Sequence, residues 1–438
     1  MTPSARIASA IEILAQIDSQ RRPAQEAMKE WGVAHRFAGS KDRAAISALV
    51  HDALRVKASA SWIMGSAEPR AIMLGALKMA RGLDVEAISQ LFNASAHSPD
   101  VLTPDEISHL ETDNLASAPD HVRGDYPEWL AASFAAAFGD HAIDEGRALS
   151  LRAPVDLRVN ISRTSRDNAL KSISHLLPEE TDLSPIGLRL QIGADGRGPA
   201  LLAEPAYAKG LIEVQDEGSQ LAALLAAAQP GMQVLDLCAG AGGKTLALAA
   251  GMDQKGQIYA TDIDGRRLMP IYPRLERAGV RNVQVRAPRG QADILSDLSG
   301  KCDIVFVDAP CTGTGTWRRN PDAKWRTRPG ALEQRVKEQA DILDKSCQYV
   351  KHGGALVYVT CSVLREENED QITAFLQRNE DFTPLDSAHI CRRAELPELG
   401  RFASQHGAGL RFSPYSAGTD GFYVCVLMRT RMEGREFW

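Results

Sequence analysis

Apolar positions along the chain recur with two different periods, and the change from one to the other divides it. Ile7, Ile11 and Leu14 keep helical spacing. So do Ile46, Leu49, Val50 and Ala53, with Ser40 placed to cap their segment, and so do Ile72, Ala76 and Met79. Such stripes bury themselves against one another, which predicts a small all-helical bundle. Beyond His97 the period fades, and Pro99, Pro104 and Pro119 interrupt it, as expected of a linker with short pieces of helix. Tyr126-Pro127-Glu-Trp129-Leu130 then starts a helix with proline near its first turn.

From Pro154 the period becomes two. Val155-Asp-Leu157-Arg-Val159-Asn160 and Leu188-Arg-Leu190-Gln-Ile192 alternate, Ala169 to Leu177 between them is helix-like, and Gly193-Ala-Asp-Gly196 reads as a turn. From Tyr207 onward the strands become short, wholly apolar runs near 234–237, 257–261, 283–286, 303–308 and 355–360, with helical stretches between them. Two further strands fall near 409–413 and 421–428. Strands alternating with helices predict an α/β domain with a mostly parallel, doubly wound sheet. The expected domains are 1–125, helical with a linker; 126–206, a small α+β subdomain; and 207–438, the α/β domain.

Composition alters this picture little. Of 438 residues, 44% are hydrophobic and 24% charged, ordinary for a globular protein. Seven cysteines without a Cys-x-x-Cys pair argue against a disulfide framework and predict no metal site. No run of about 18 apolar residues predicts a membrane span, and Met1-Thr-Pro-Ser-Ala-Arg lacks a signal layout. These features predict a reduced, cytoplasmic chain, expected to act as a monomer. The net charge of −6 speaks weakly against general polyanion binding. A local run does the opposite. Arg318, Arg319, Lys324, Arg326 and Arg328, with Trp317 and Trp325 interleaved, could be a solvated face, but such a run beside a candidate site predicts contact with nucleic acid.

The candidate chemistry lies at three strand ends. Gly354-Ala-Leu-Val-Tyr-Val-Thr-Cys361-Ser362 is a buried strand running into a thiol. Cys302-Asp-Ile-Val-Phe-Val-Asp308-Ala-Pro310-Cys311-Thr-Gly313-Thr-Gly315 ends in acid, thiol and glycines. Val234-Leu-Asp236-Leu-Cys238-Ala-Gly240-Ala-Gly242-Gly243-Lys244-Thr245 opens a helix. Open α/β sheets bind ligands at the carboxyl ends of their strands. Alone, Cys361 reads as a small core residue; three such ends together read as a site. The glycine loop suits a cofactor carrying a carboxylate or phosphate, yet has neither dinucleotide nor P-loop spacing. Asp262, ending the next strand, either holds a ribose or caps a helix. This pattern fits NAD or S-adenosyl-L-methionine. Hydride transfer has no use for two loop thiols. Methylation of a pyrimidine at C5 needs a thiolate to add at C6, a carboxylate at N3 and a base for the C5 proton. Cys361, Asp308 and Cys311 supply that set.

On the stretches Leu235 to Thr245, Asp308 to Gly315 and Thr360 to Glu369, with Gln215-Asp-Glu-Gly-Ser-Gln220 and Gly418-Thr-Asp-Gly-Phe422, the chain resembles the RNA cytosine-C5 methyltransferases, in particular the bacterial RsmB-type small-subunit rRNA enzymes. The helical start is similar to their NusB-type RNA-binding domain. The resemblance implies a Rossmann-like S-adenosyl-L-methionine-dependent fold and rRNA as partner. It implies Cys361 as nucleophile, Cys311 for product release, and Asp308 against cofactor and base. Cys238, Ala239, Gly240, Ala241, Gly242, Gly243 and Lys244 would hold the methionine part of the cofactor, and Asp262 its ribose. The chain departs from the family pattern twice. Ala241 replaces a proline, and Val283-Gln-Val-Arg286-Ala-Pro288-Arg289 lacks the acid expected at the adenine, Asp293 being the nearest. A noncatalytic RNA-binding assembly factor with a relic methyltransferase domain is the alternative function. A DNA or protein methyltransferase is a third, against which the Thr-Cys-Ser loop argues.

Overall fold

In the computed structural model, residues 1–112, 114–193, 198–288, 290 and 292–430 are described. They form two compact units: residues 1–153 with 192–197 and 316–329, and residues 154–191 with 198–315 and 330–438. The turn expected at Gly193–Gly196 lies largely outside the described residues.

The first unit is helical. Helices Pro3–Gln20, Ala24–Ala34, Ser40–Arg55 and Pro69–Met79 bury Ile7, Leu14, Trp31, Ile46, Val50 and Ile72 in one core. The expected linker carries two short helices, Pro104–Glu111 and Asp120–Arg123. Thr103 and Glu106 close a reciprocal capping box on the first of these. Helices Ala131–Phe138 and Ala142–Ser150 join the same unit.

The basic run belongs here, and its burial corrects the expectation placed on it. Lys324 is 0% exposed. Its ammonium donates to the carbonyls of Asp125 (2.7 Å) and Arg55 (3.2 Å) and to Ser150 Oγ (2.7 Å). Burial, partly offset by Asp125, pulls its pKa down to about 7. Arg318 is buried as well. Trp317 is stacked against Phe134, and Trp325 donates its indole N–H to Leu54 O (2.6 Å). Lys324, Arg318 and Trp317 are therefore structural and cannot meet an RNA phosphate or base. Arg319 and Arg326 remain exposed. Arg326, paired with Asp322, lines a cleft of about 570 Å³ with Arg21, Lys57, Trp325 and Arg328.

The second unit holds two sheets. The smaller contains β1 (Val155–Val159), β2 (Glu179–Glu180), β3 (Gly187–Leu190) and β4 (Ile212–Val214), in the order β2-β3-β1-β4, all antiparallel. Leu157, Val159, Leu188 and Ile212 form its core with Ala169 and Ile173 of the helical segment between. The larger contains β5 (Gln233–Asp236), β6 (Gln257–Ala260), β7 (Val283–Val285), β8 (Cys302–Asp308), β9 (Val350–Thr360), β10 (Phe382–Pro384), β11 (Leu410–Phe412) and β12 (Phe422–Arg429). Its order is β10-β12-β9-β8-β5-β6-β7, with β11 on β12. The strands β7-β6-β5-β8-β9 run parallel, and β12 returns antiparallel to β9. Successive residues feed opposite faces. Ile304, Phe306, Val357 and Val359 enter one apolar layer; Val305, Val307, Leu356 and Tyr358 enter the other. Both faces are covered, which explains why the runs are apolar throughout. The order reverses at β5 and β8, where a doubly wound sheet opens its ligand crevice.

Lys324→Ala is expected to cost about 3 kcal/mol of stability by opening a cavity and orphaning buried acceptors. It is expected to leave the salt dependence of RNA binding unchanged; urea melts and filter binding over a salt series check both.

Candidate active site

β8 and β9 are adjacent and parallel, with Asp308 opposite Val359. The chain beyond each strand therefore emerges at the same edge. Cys311 follows Asp308 by three residues and Cys361 follows Val359 by two, and their sulfurs lie 3.4 Å apart. Both are free thiols at half-buried positions.

Three loops lock this edge. Gly315 N–H donates to Cys361 O (2.9 Å), and Gly421 N–H donates to Gly315 O (2.8 Å). A Cβ on Gly315 would fall 2.3 Å from Gly421 O, so only glycine permits the approach. Thr314 Oγ1 meets Ser362 Oγ (3.1 Å) and accepts from Val363 N–H (2.9 Å). Sequence reasoning missed the strongest anchor, Glu367. Its buried carboxylate accepts from Thr312 N–H (2.8 Å), Thr312 Oγ1 (2.5 Å) and Gln339 Nε2 (3.0 Å). The run Glu366-Glu367-Asn368-Glu369 was a visible signal, but not that Glu367 and Glu369 both turn inward, nor which of them holds Thr312. Burial pushes the Glu367 carboxyl up despite these donors. Cys311 is pushed well above a usual thiol by its hydrogen bond to Cys361, then by burial and by the Cys361 and Glu367 charges.

At the neighbouring strand end, Lys244 donates to Asp308 Oδ2 (2.7 Å). Burial works against the Lys244 charge, but Asp308, Cys361 and Asp236 outweigh it and raise its pKa. Lys244 thus links the glycine loop to Asp308, a connection beyond the cofactor role expected for it. Asp236 accepts from Thr245 Oγ1 (2.6 Å), and its Oδ1 has no partner. Burial, reinforced by Asp308, pushes its carboxyl up to about 7. Gly240 and Gly242 have φ of 49° and 82°, left-handed values that suit glycine. Asp262 accepts from Gly240 N–H (3.0 Å) and Asp264 N–H (2.9 Å), tying the loop to the end of β6; Asp264, not Asp262, caps the next helix. Ala241 offers its carbonyl to Arg274 (2.8 Å). Burial makes the Cys238 thiol hard to ionise. Asp293 spends its carboxylate on Leu295 N–H (3.0 Å) in its own turn, and Arg289 lies outside the described residues. Among the described residues no cluster could hold a metal ion, and no helix is long and apolar enough to cross a membrane.

Residues 222–428 match the family model described as 16S rRNA methyltransferase RsmB/F, and 126–195 match the ferredoxin-like domain of RsmF/B-like methyltransferases. A probable ribosomal RNA small subunit methyltransferase B from Synechocystis is 32% identical over 69% of this chain and 67% of its own length. The chain belongs to the RsmB/F methyltransferase family. Ribosomal RNA small subunit methyltransferase B from an Escherichia coli strain is 33% identical over 69% of this chain and 66% of its own length, so the match spans about two thirds of these relatives. A methyltransferase homologue from Pyrococcus horikoshii, 25% identical, superposes with a TM-score of 0.58 over 73% of this chain and 99% of that one. The fold is the Rossmann-like one of S-adenosylmethionine-dependent methyltransferases. In this RsmB/F chain the loop 238–244 fits that donor: its glycines leave a backbone cradle, and Asp236 Oδ1, two residues before the loop, is a buried polar atom without a partner.

The raised Asp236 carboxyl has a consequence for stability. From about pH 4 to about pH 7 the folded state keeps a proton that the unfolded state releases, so stability falls as pH rises through that window. Asp236→Asn is expected to lose that part of the slope; melting temperatures of both proteins across the window check it, and parallel slopes would refute it.

Proposed function

We propose that this chain methylates C5 of a cytosine in small-subunit rRNA, with S-adenosyl-L-methionine as donor and Cys361 as covalent nucleophile. The observation that carries the reading is the 3.4 Å pair of thiols at two adjacent strand ends, beside Lys244 on Asp308. S-adenosylmethionine supplies an electrophilic methyl group on a sulfonium; residues 238–244 and Asp262 hold it.

The residues divide the work by their surroundings. Cys311, its pKa raised by the hydrogen bond to Cys361 and by burial, keeps its proton, which leaves Cys361 to act as the nucleophile beside the Lys244–Asp308 pair. Cys361 Sγ adds to C6 of the ring. Asp308, held by Lys244, meets N3 and the exocyclic amine, where charge develops. Once Cys361 is bonded to carbon, the main cause of the high Cys311 pKa is gone. Cys311 then gives its proton to solvent; after C5 has received the methyl group, the Cys311 thiolate takes the C5 proton, the C5–H electrons re-form the C5–C6 double bond, and the C6–S bond breaks with its electron pair leaving on Cys361. The pair thus changes roles within one cycle. The target base must leave its stack to reach the sulfur, which is cheapest in loop or single-stranded RNA. The chain acts as a monomer in the cytoplasm, and exposed Arg319 and Arg326 contribute to RNA contact.

Cys311→Ala is expected to accumulate a protein–RNA adduct that survives denaturation, and Cys361→Ala to form none; the reverse pattern would exchange the roles. Bisulfite sequencing of small-subunit rRNA from cells with and without the protein reads out the modified cytosine. Unchanged rRNA, with intact methyl-donor binding, would favour the noncatalytic assembly factor.

A further inference from the structure

The smaller sheet of the second unit has a charged face. Leu157 and Val159 of β1 enter the apolar core, so Asp156 and Arg158 point to the opposite side. Asp156 is fully engaged, accepting from Arg189 (2.7 and 2.9 Å) and from Glu217 N–H (3.1 Å). Arg158 is not. It is 3% exposed, its Nε has no partner, and no hydrogen bond or ion pair ties its guanidinium to any described residue. Glu213 lies opposite it on β4, and cross-strand partners share a side. Glu213, however, is held by Arg277 (2.6 Å) and Arg274 (3.4 Å). Three guanidiniums therefore surround one carboxylate, leaving two positive charges in excess where water is scarce. Burial draws the Arg158 pKa down to about 10, opposed by Glu213 and reinforced by Arg274.

A further donor stands nearby. Gln215 is 7% exposed, and its Nε2 donates one hydrogen to Ser219 Oγ (3.1 Å) and keeps a second for an anion. A Cβ on Gly243 would lie 3.6 Å from Arg274 Nη2 and 3.8 Å from Gln215 Nε2, so both side chains stand over the first residue of helix Gly243–Gly251. The opening turn of a helix presents unpaired amides and partial positive charge. Arg274 also grips Ala241 O (2.8 Å), which makes the cluster continuous with the glycine loop.

A buried charge without a partner is destabilising, and a fold that keeps one has a use for it. We infer that Arg158, Arg274 and Gln215, with the amino end of helix Gly243–Gly251, form an oxyanion site outside the thiol centre. Its ligand is a carboxylate or a phosphate. Resting on the methyltransferase reading above, two sources bring that chemistry: the α-carboxylate of the methyl donor, or a phosphodiester of the RNA strand.

The full-length protein and its Arg158→Met variant are titrated calorimetrically with S-adenosylmethionine, with its decarboxylated analogue, and with a single-stranded RNA oligonucleotide over a salt series. Arg158→Met is expected to melt no lower than the parent, because an uncompensated buried charge is gone. It is expected to bind one ligand about tenfold more weakly, the loss of one charge-assisted contact. If the site takes the donor's carboxylate, the parent discriminates against the decarboxylated analogue and the variant does not. If it takes RNA phosphate, donor affinity is kept and the salt slope of RNA binding falls by about one. Arg158→Lys should restore part of either loss. Unchanged affinity for both ligands, or a lower melting temperature without an affinity change, overturns the inference. Gln215→Leu repeats the titrations should Arg158→Met not fold. A parent protein that binds neither donor nor RNA defeats the methyltransferase reading itself, a result distinct from a normal parent with an indifferent variant.

Discussion

The parallel ladder between β8 and β9 sets the positions on which the chemistry depends. Asp308 is paired in register with Val359, so the polypeptide beyond both strands emerges at one height on one edge. A slip of one residue would reverse which side chains face each apolar layer, and both layers are filled. The register is thus held by the packing on both faces, and the sulfurs inherit their separation from it. The loops add local precision. Gly315 and Gly421 touch backbone to backbone, and Glu367 clamps Thr312 from beneath. The two sulfurs are carried on the ends of adjacent parallel strands, 3.4 Å apart.

Buried charge recurs throughout the protein, and its partners decide what it does. Lys324 has three acceptors and ties together segments distant in sequence. Glu367 has three donors and shapes a loop. Lys244 and Asp308 are mutually paired yet remain partly open, at 12% and 30% exposure of their side chains, and so can still meet a ligand. Asp236 and Arg158 each retain an orphaned atom. Satisfied charges build, and half-open ones can still meet a ligand.

Arg318, Arg319, Lys324 and Arg326 show why a charge run is ambiguous in one dimension. On composition they form a basic, tryptophan-studded strip. In three dimensions Arg318 and Lys324 turn inward while Arg319 and Arg326 stay exposed; Lys324 and Arg326 part because helix Pro321–Arg326 has one face against the helical core and another in water. A lysine with a long apolar stem can lie in such a core when backbone carbonyls receive its ammonium.

Period and punctuation along the chain were enough to establish the helical start, the α/β class, nearly every strand of the large sheet and the position of the three candidate loops at strand ends. These are local properties: an apolar run flanked by glycine or acid has few ways to fold. Short strands such as Glu179–Glu180, Ile212–Val214 and Phe382–Pro384 were not legible, since their pairing partners rather than their own residues make them strands. The residue types at Cys311, Cys361, Asp308 and Lys244 could be read as an inventory. That the two sulfurs meet, that Lys244 reaches Asp308, that Glu367 clamps Thr312, and that Lys324 is structural depended on contacts between segments far apart in the chain. Such contacts arise from sheet order and packing, which no local pattern encodes.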